Sequence, residues 1–454
     1  MESPAGRACG IHAARLNLAE YAVNFSDAHP PLNSVQAAIE AERCYYCYDA
    51  PCTAACPTSI DVPAFIARIA QDNLRGAAKE ILTANPLGGM CARVCPTEQL
   101  CEAACVRNTH EDKPVEIGAL QRYATDHFLA TGATALWQRA APTGKKVAVV
   151  GAGPAGLTCA HQLALQGHEV VLLDAKPKLG GLNEYGLASY KTPGDFAQQE
   201  IDWLLSVGGI APRNNQRMGR DFTLASLLEE YDAVFLGLGL AGVNALGIVE
   251  PQAAGLRNAV DFIADIRQAP DKSAIPVGRK VVVIGGGMTA VDAAVQAKLL
   301  GAEEVTIFYR RGRPGLSASY VEQEWAQHHG VVLRMWTAPQ EILLVDGKVT
   351  GVRMAYTREL QGKLEVTQET FDVSADMVLK AIGQTYIAPD TCALALRDGR
   401  IATDADGRTS MDRVWAGGDC RAGGQDLTVE AVAHGKAAAR AMHQALTRTV
   451  GIPV

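Results

Sequence analysis

Eight cysteines lie within the 62 residues from Cys44 to Cys105, and no other feature of the chain limits its folding as sharply. The opening residues, MESPAGRACGIHAARLNLAEYAV, contain no signal-peptide apolar core, and no apolar run approaches membrane-spanning length. The expected compartment is therefore the cytoplasm, with no membrane partner. Thiols stay reduced there, and a dense group of them reads as a metal-binding head rather than a disulfide framework. The other four cysteines, Cys9, Cys159, Cys392 and Cys420, are isolated. The rest of the 454 residues leave room for further domains, and 44 glycines with 48% hydrophobic residues suit an α/β body rich in glycine loops. A formal charge of -7 argues against a nucleic-acid binder, which needs a basic face.

The first run reads Cys44-x2-Cys47-x4-Cys52-x3-Cys56-Pro57. The second, Cys91-x3-Cys95-Pro96, is followed by Cys101-x3-Cys105. Bacterial ferredoxin runs have the form C-x2-C-x2-C-x3-C-P, and their fourth cysteine serves a different cluster. The first run has that shape with its middle gap widened. Two four-thiolate zinc sites are the main alternative, but zinc sites usually pair two CxxC knuckles and this region has one. The spacing favours two 4Fe-4S clusters over zinc, with structural or redox thiols as a third reading. Two clusters would use all eight cysteines. One residue complicates that count. In PVEIGALQRYATDHF (114–128), Gln121 shares the apolar helical face of Ile117, Ala124 and Phe128. A buried carboxamide needs a partner, and on pattern alone that partner is expected to be backbone.

After the linker PTGKK (142–146), an apolar strand runs into Gly151-x-Gly153-Pro154-Ala155-Gly156, then a helix, then a second strand ending at Asp174. The glycines permit a tight turn and the close approach of a pyrophosphate to a helix N-terminus, and Asp174 stands where an acid would bond a ribose hydroxyl. The bland alternative for Asp174 is a solvated residue at a strand end. A second copy, KVVVIGGGMTAVDAAV, carries Gly285, Gly286, Gly287, Met288, Thr289 and Ala290, and its next strand ends in Arg310-Arg311. Arginine there can accommodate the 2′-phosphate of NADP, where an acid would favour NAD. Near the end, VWAGGDCRAGGQDLTVEAVAHGK returns to a helix expected to open at Thr428. Its positive end would face the pyrimidine edge of a flavin, and Gly418-Asp419 would lie near the ribityl or phosphate region. The expected fold is multidomain: an α-helical iron–sulfur domain (1–143), then two Rossmann-like α/β domains, with an NAD(P) domain (279–383) inserted into an FAD domain (145–278 and 384–454). DAVFLGLGL (232–240) and DMVLKAIGQ (376–384) read as the crossover strands between them.

The motifs RCYYCYDAPCTAACPTSID, NPLGGMCARVCPTEQLCEAAC, EIGALQRYATD, GAGPAGL, GGLNEYG and AGGDC span nearly the whole chain. Together they resemble the electron-input (PreT) subunits of bacterial dihydropyrimidine dehydrogenase, the N-terminal half of the long dihydropyrimidine dehydrogenases and the small subunit of glutamate synthase. The resemblance implies ligands that spacing does not assign. One cluster would take Cys44, Cys47, Cys52 and Cys105. The other would take Cys56, Cys95, Cys101 and Gln121, with Cys91 not a ligand. Glutamate synthase small subunits carry glutamate at the position of Gln121, so the glutamine favours the pyrimidine enzyme. The resemblance also implies flavin contacts at Asp174, Gly181, Leu182 and Lys191, and nicotinamide contacts at Arg310 and Arg311. Ser317 stands where the long enzymes have a further arginine, so NADH and NADPH both stay open.

What this implies is a reductase subunit with FAD and two 4Fe-4S clusters. It would pass electrons from NAD(P)H to a separate FMN/iron–sulfur subunit (PreA-like) in a hetero-oligomer that reduces uracil or thymine, or runs in reverse. No side chain is assigned as a catalytic acid or base. The alternatives are a glutamate synthase small subunit, a stand-alone NAD(P)H:ferredoxin-type oxidoreductase and, from another class, a non-catalytic metal-bound redox scaffold. A flavin disulfide reductase is disfavoured, because no CxxC or CxxxxC pair lies beyond Cys105.

Overall fold

The structure, a computed structural model, describes residues 9–132, 136–389 and 394–448, so Cys392 lies outside the described residues. Two compact units emerge. One comprises the described residues up to Ala28, Tyr185–Pro193 and Gly242–Thr385; the other comprises His29–Glu184, Gly194–Ala241 and the described residues from Tyr386 on.

The second of these begins with short helices whose starts are written in the sequence. Asn33, Asp61 and Asn73 each accept a backbone N–H three residues on, capping the helices Ser34–Glu42, Val62–Ala70 and Leu74–Ala84. Their apolar faces, with Phe65, Ile66, Ile69, Ile81, Ile117 and Leu120, form one core. The Ile117–Ala130 helix runs through it with Ile117, Gln121, Ala124 and Phe128 all buried, as the sequence periodicity predicts. A parallel sheet follows in the order Val414–Ala416, Ala233–Leu236, Lys146–Val150, Glu169–Leu173, Ile210–Arg213. The central strand KVAVV is buried over its last four residues, as a strand covered on both faces must be. The Pro154–Leu165 helix packs against Thr428–Thr447, and Gly435 permits the contact, since a Cβ there would sit 2.3 Å from the Ala155 carbonyl oxygen.

The other unit holds a second parallel sheet, in the order Val332–Arg334, Glu304–Phe308, Lys280–Gly285, Met377–Ala381, Leu256–Asn258. It also has an antiparallel meander of Thr337–Val345, Lys348–Leu360 and Lys363–Ser374. The meander turns at Asp346-Gly347 and Gln361-Gly362, all with positive φ as two-residue hairpin turns require.

The units depart from the expected boundaries in three places. Leu256–Asn258 and the Ala259–Gln268 helix, expected before residue 279 in the flavin part, belong to the second sheet and its core. The residues from Cys9 to Ala28, expected in the cluster head, pack with that unit: Ile11 pairs with Gly278, and Asn24 donates to the Leu299 carbonyl (2.9 Å). Helical head and flavin-type sheet form one unit rather than two. Among the described residues no helix is long and apolar enough to cross a membrane.

Candidate functional site

The eight clustered cysteines and Gln121 divide between two cavities. Cys44, Cys47, Cys52 and Cys105 line the first, together with Tyr45, Val62, Ile66, Arg107, Val115 and Ile117. Cys56, Cys91, Cys95, Cys101 and Gln121 line the second, together with Ile60, Asn85, Gly118 and Val429. Cys56 is thus parted from the run that contains it, and Cys105 joins a run 53 residues upstream of it in sequence.

The cavities fit a bulky thiolate-bound group. Counting their open mouths they measure ≈ 360 and ≈ 340 Å³. Among the described residues no three His, Cys, Asp or Glu side chains are grouped as a single ion would need. Burial raises Cys44 and pushes Cys52 up to about 11, and a hydrogen bond donated to Cys91 together with burial raises Cys95. Such thiols keep their protons until a cation arrives, so loading the cavities releases protons. Arg107 lies at the first cavity, its guanidinium 3.9 Å over the Tyr45 ring and bonded through Nε to the Arg43 carbonyl (2.6 Å).

Gln121 has the backbone partner expected of it and also lines the second cavity. Its Nε2 donates to the Gly88 carbonyl (2.7 Å), which is the backbone partner that the helical pattern required. A carbonyl only accepts, so the amide is oriented and Oε1 is the atom left for the second cavity. The Gly88–Val94 helix that supplies this carbonyl has no local side-chain cap. Its cap comes from Glu200, whose Oε1 accepts the N–H groups of Gly89 (2.7 Å) and Met90 (3.2 Å). Gly89 is what lets Glu200 approach, because a Cβ there would lie 2.8 Å from Oε1. Burial pushes the Glu200 carboxyl up to about 8, against the pull of those two N–H groups and of Arg93.

The flavin-type cleft is assembled on the same unit. A Cβ on Gly151 would meet the Gly237 oxygen at 2.2 Å and one on Gly156 the Gly151 oxygen at 1.8 Å, whereas one on Gly153 would find only Gly181 Cα, at 3.8 Å. Two glycines close the turn and the third faces open space, which is the cradle a pyrophosphate uses. Pro154 and Ala155 open a helix with no side-chain cap, so its first N–H groups stay available to an anion. Gly180 donates to the Ala152 carbonyl (2.8 Å), which lays Gly181 and the half-exposed Leu182 alongside the loop. Asp174 is buried rather than solvated. One carboxylate oxygen accepts from Ala152 N–H (2.7 Å) and the other from Lys176 N–H (2.8 Å), so it braces the glycine loop, a role the fingerprint did not suggest. Gly418 abuts Ala155, and Thr428 donates to Asn183 Oδ1 (2.9 Å) at the uncapped start of its helix. Asp419 is largely buried and makes no hydrogen bond among the described residues, and burial pushes it up to about 7. Such a carboxyl suits a ligand hydroxyl and not a phosphate.

Lys191 departs from its expected place. It lies in the other unit, 2.8 Å from Asp292 Oδ1 and 2.6 Å from Glu322 Oε1. Burial opposes its charge, but the two carboxylates outweigh that and raise its pKa. In this unit Gly285 has φ 147°, and a Cβ would sit 2.0 Å from the Ala381 oxygen. Gly287 precedes an uncapped helix that opens with Met288 and Thr289, and the Gly286 carbonyl accepts the N–H groups of Ser317 and Ala318. Arg310 is exposed and Arg311 half-buried, and neither enters an ion pair among the described residues, which leaves both guanidinium groups available to an anion.

Residues 21–133 match the family described as dihydropyrimidine dehydrogenase domain II, 4Fe-4S cluster, and residues 145–435 match pyridine nucleotide-disulphide oxidoreductase. The chain is 34% identical to the NAD-dependent dihydropyrimidine dehydrogenase subunit PreT of Salmonella typhimurium, over 92% of this chain and 96% of that protein. It is 32% identical to the glutamate synthase (NADPH) small chain of Escherichia coli, over 92% and 93%. Among solved structures, Mycobacterium tuberculosis FprA in complex with NADPH is similar in fold, with a TM-score of 0.56 at 19% identity, over 66% of this chain and 83% of that one.

Proposed function

We propose that this chain, which belongs to the family of the PreT subunits of dihydropyrimidine dehydrogenase, is the electron-input subunit of such an enzyme. It takes reducing equivalents from NADH or NADPH and delivers them to a separate FMN/iron–sulfur subunit. That subunit converts uracil or thymine to the 5,6-dihydro form, or runs the reverse. The observation that carries this reading is the presence, on one unit, of two cysteine-lined cavities and a flavin-type cleft. The helix that closes the cleft touches the second cavity through Val429.

When bound, FAD would accept hydride and release single electrons, and two 4Fe-4S clusters would carry them. Cys44, Cys47, Cys52 and Cys105 would hold one cluster, and Cys56, Cys95, Cys101 and Gln121 the other. The N–H groups of Gly153, Ala155 and Gly156 would take the flavin pyrophosphate, Asp419 would accept from a ribityl hydroxyl, and the Thr428 helix start would favour negative charge on the ring. Gly285, Gly286, Gly287, Met288 and Thr289 would receive the nicotinamide dinucleotide, with Arg310 and Arg311 facing its ribose end. Ser317, small and neutral beside Gly287, supports NADH; the two arginines support NADPH.

The test is to copurify the chain with an FMN/iron–sulfur dehydrogenase subunit and assay uracil-dependent NAD(P)H oxidation. Activity only in the pair supports the proposal, and full activity from this chain alone sinks it. The similarity to glutamate synthase small chain favours one second reading, with the same cofactors and a different partner. Stimulation by a large glutamate synthase subunit, with none by the pyrimidine subunit, would select it. Zinc without iron, or no flavin absorbance, would instead indicate a redox scaffold.

A further inference from the structure

The wall of the second cavity contains a carboxamide besides Gln121. Asn85 ends the Leu74–Ala84 helix and is fully buried. Its Oδ1 accepts the N–H of Leu87 (3.0 Å), which settles the orientation of the amide because an N–H can only donate. Its Nδ2 is buried without any hydrogen-bond partner, and the residue lines the second cavity with Cys56, Cys95, Cys101 and Gln121. The two amides are opposites. Gln121 has its nitrogen engaged by the Gly88 carbonyl and an oxygen left over; Asn85 has its oxygen engaged by the Leu87 N–H and a nitrogen left over. Both anchors belong to consecutive residues of NPLGG (85–89), the segment that Glu200 holds in place through Gly89 and Met90.

A buried NH2 group left unpaired is destabilising unless something in the cavity accepts from it. The other polar side chains on that wall are the thiols, the Gln121 oxygen and the Thr97 hydroxyl, which donates to Glu102, and a thiolate-bound iron–sulfur group would present electron-rich sulfur there. We propose that Asn85 is a positioning and tuning residue, donating from Nδ2 to sulfur of the group bound in the second cavity and raising its reduction potential. The inference rests on the two-cluster reading above. Its physics is electrostatic. The bound group gains one negative charge on reduction, and an N–H dipole aimed at it stabilises the reduced state over the oxidised one. No covalent bond changes and no proton leaves the amide. The donor side chains lining the first cavity are the charged Arg107 and the Tyr45 hydroxyl, with no carboxamide among them, so the two groups differ in what surrounds them.

The experiment uses the purified full-length holoenzyme, with flavin and iron content as the check on loading. The second-cavity EPR signal is identified as the one lost in Cys101→Ala. Asn85→Leu keeps the side-chain volume and removes the donor. The expected result is a downward shift in the midpoint potential of the second-cavity signal, with the first-cavity signal and the flavin unmoved. A purely structural role for Asn85 would lower stability without moving that potential. Because the variant could fail to assemble, the wild-type protein is also made with asparagine carrying 15N in its side-chain amide. Pulsed EPR is then expected to show a 15N coupling on the second-cavity signal alone. Two cluster signals with an unmoved potential and no 15N coupling would overturn the inference and leave the two-cluster reading standing. A wild-type protein with no iron–sulfur signal would overturn that reading and the inference with it.

Discussion

Cys91 and Gln121 both line the second cavity, which leaves five donors for four positions. Gln121 is oriented with its oxygen free, whereas Cys91 lies one helical turn before Cys95 and shares a hydrogen bond with it. On the reading proposed above, Gln121 is the ligand and Cys91 its neighbour. Exchanging a neutral amide for a thiolate adds negative charge to one cluster, so Gln121→Cys should shift the potential or EPR signal of the second cavity only, and Cys91→Ser should shift neither. Unchanged spectra in Gln121→Cys would reduce Gln121 to a core residue. Glu200 titrates with the opposite consequence from a salt-bridged acid. Burial raises its folded pKa from 4.5 to about 8, with Arg93 lowering it and Asp126 raising it. A raised carboxyl contributes stability in full below about 4.5, and that contribution is lost as pH rises through about 8. Glu200→Gln keeps an acceptor for the Gly89 N–H and removes the titration. Its urea midpoint should therefore gain on the wild type as pH rises from about 4.5 to about 8, with the gap closing in acid; a pH-independent gap would show that Glu200 is ionised throughout. These residues differ in how visible they were beforehand. The cysteines and Gln121 stood out by type and spacing. Asn85 and Glu200 did not, because their roles depend on which backbone groups the folded chain brings to them.

The glycine loops were legible as elements because their constraints are local: a strand, a turn needing positive φ, and a helix start within a few residues. Their division of labour was not legible, since it depends on Gly237, Gly181 and the packing of other segments. That division predicts two different failures. In Gly156→Ala the new Cβ would fall 1.8 Å from the Gly151 carbonyl oxygen, and backbone on both sides cannot yield as a side-chain tip can. The cost is at least the roughly 1–3 kcal/mol of an overpacked core, and the melting temperature should fall. Gly153→Ala meets nothing nearer than 3.8 Å, so the apoprotein should melt as the wild type does. It should bind FAD at least about tenfold more weakly, because the Cβ occupies the space left for the pyrophosphate. Equal flavin content in the two proteins at limiting FAD would show that this loop does not cradle it. The meander from Thr337 to Ser374 carried its own signals in Asp346-Gly347 and Gln361-Gly362, flanked by alternating polar and apolar residues. They lay inside a stretch that the second nucleotide fingerprint had already claimed.

At the scale of the whole molecule, sequence order and spatial order part company, and this is where spacing alone fell short. Contiguous cysteines read as one site, yet Cys52 and Cys56 face different cavities, as do Cys101 and Cys105. The ferredoxin-like shape of the first run already pointed Cys56 to a different site; a resemblance to a known family supplied the rest of the division, Cys105 above all. The residues before Ala28 likewise give no local sign that they pack with a sheet more than 240 residues away. On the proposed function, the same interleaving predicts the order of the electron path. Val429, on the helix that closes the flavin-type cleft, lines the second cavity and not the first. The Ile117–Ala130 helix walls both, with Ile117 on the first cavity and Gly118 and Gln121 on the second. The second cavity therefore adjoins both the flavin cleft and the first cavity, and electrons entering at the flavin should reach the first cavity only through the second. Cys101→Ala removes a thiol that lines the second cavity and tests the order directly. NAD(P)H should still bleach the flavin at the wild-type rate, and dithionite should still elicit the first-cavity EPR signal. NAD(P)H should no longer elicit that signal within a turnover. Cys47→Ala should behave in the converse way, retaining NAD(P)H reduction of the second-cavity signal while uracil-dependent oxidation with the partner subunit is lost. Rapid NAD(P)H reduction of the first-cavity signal in Cys101→Ala would show a second route out of the flavin cleft and refute the series arrangement.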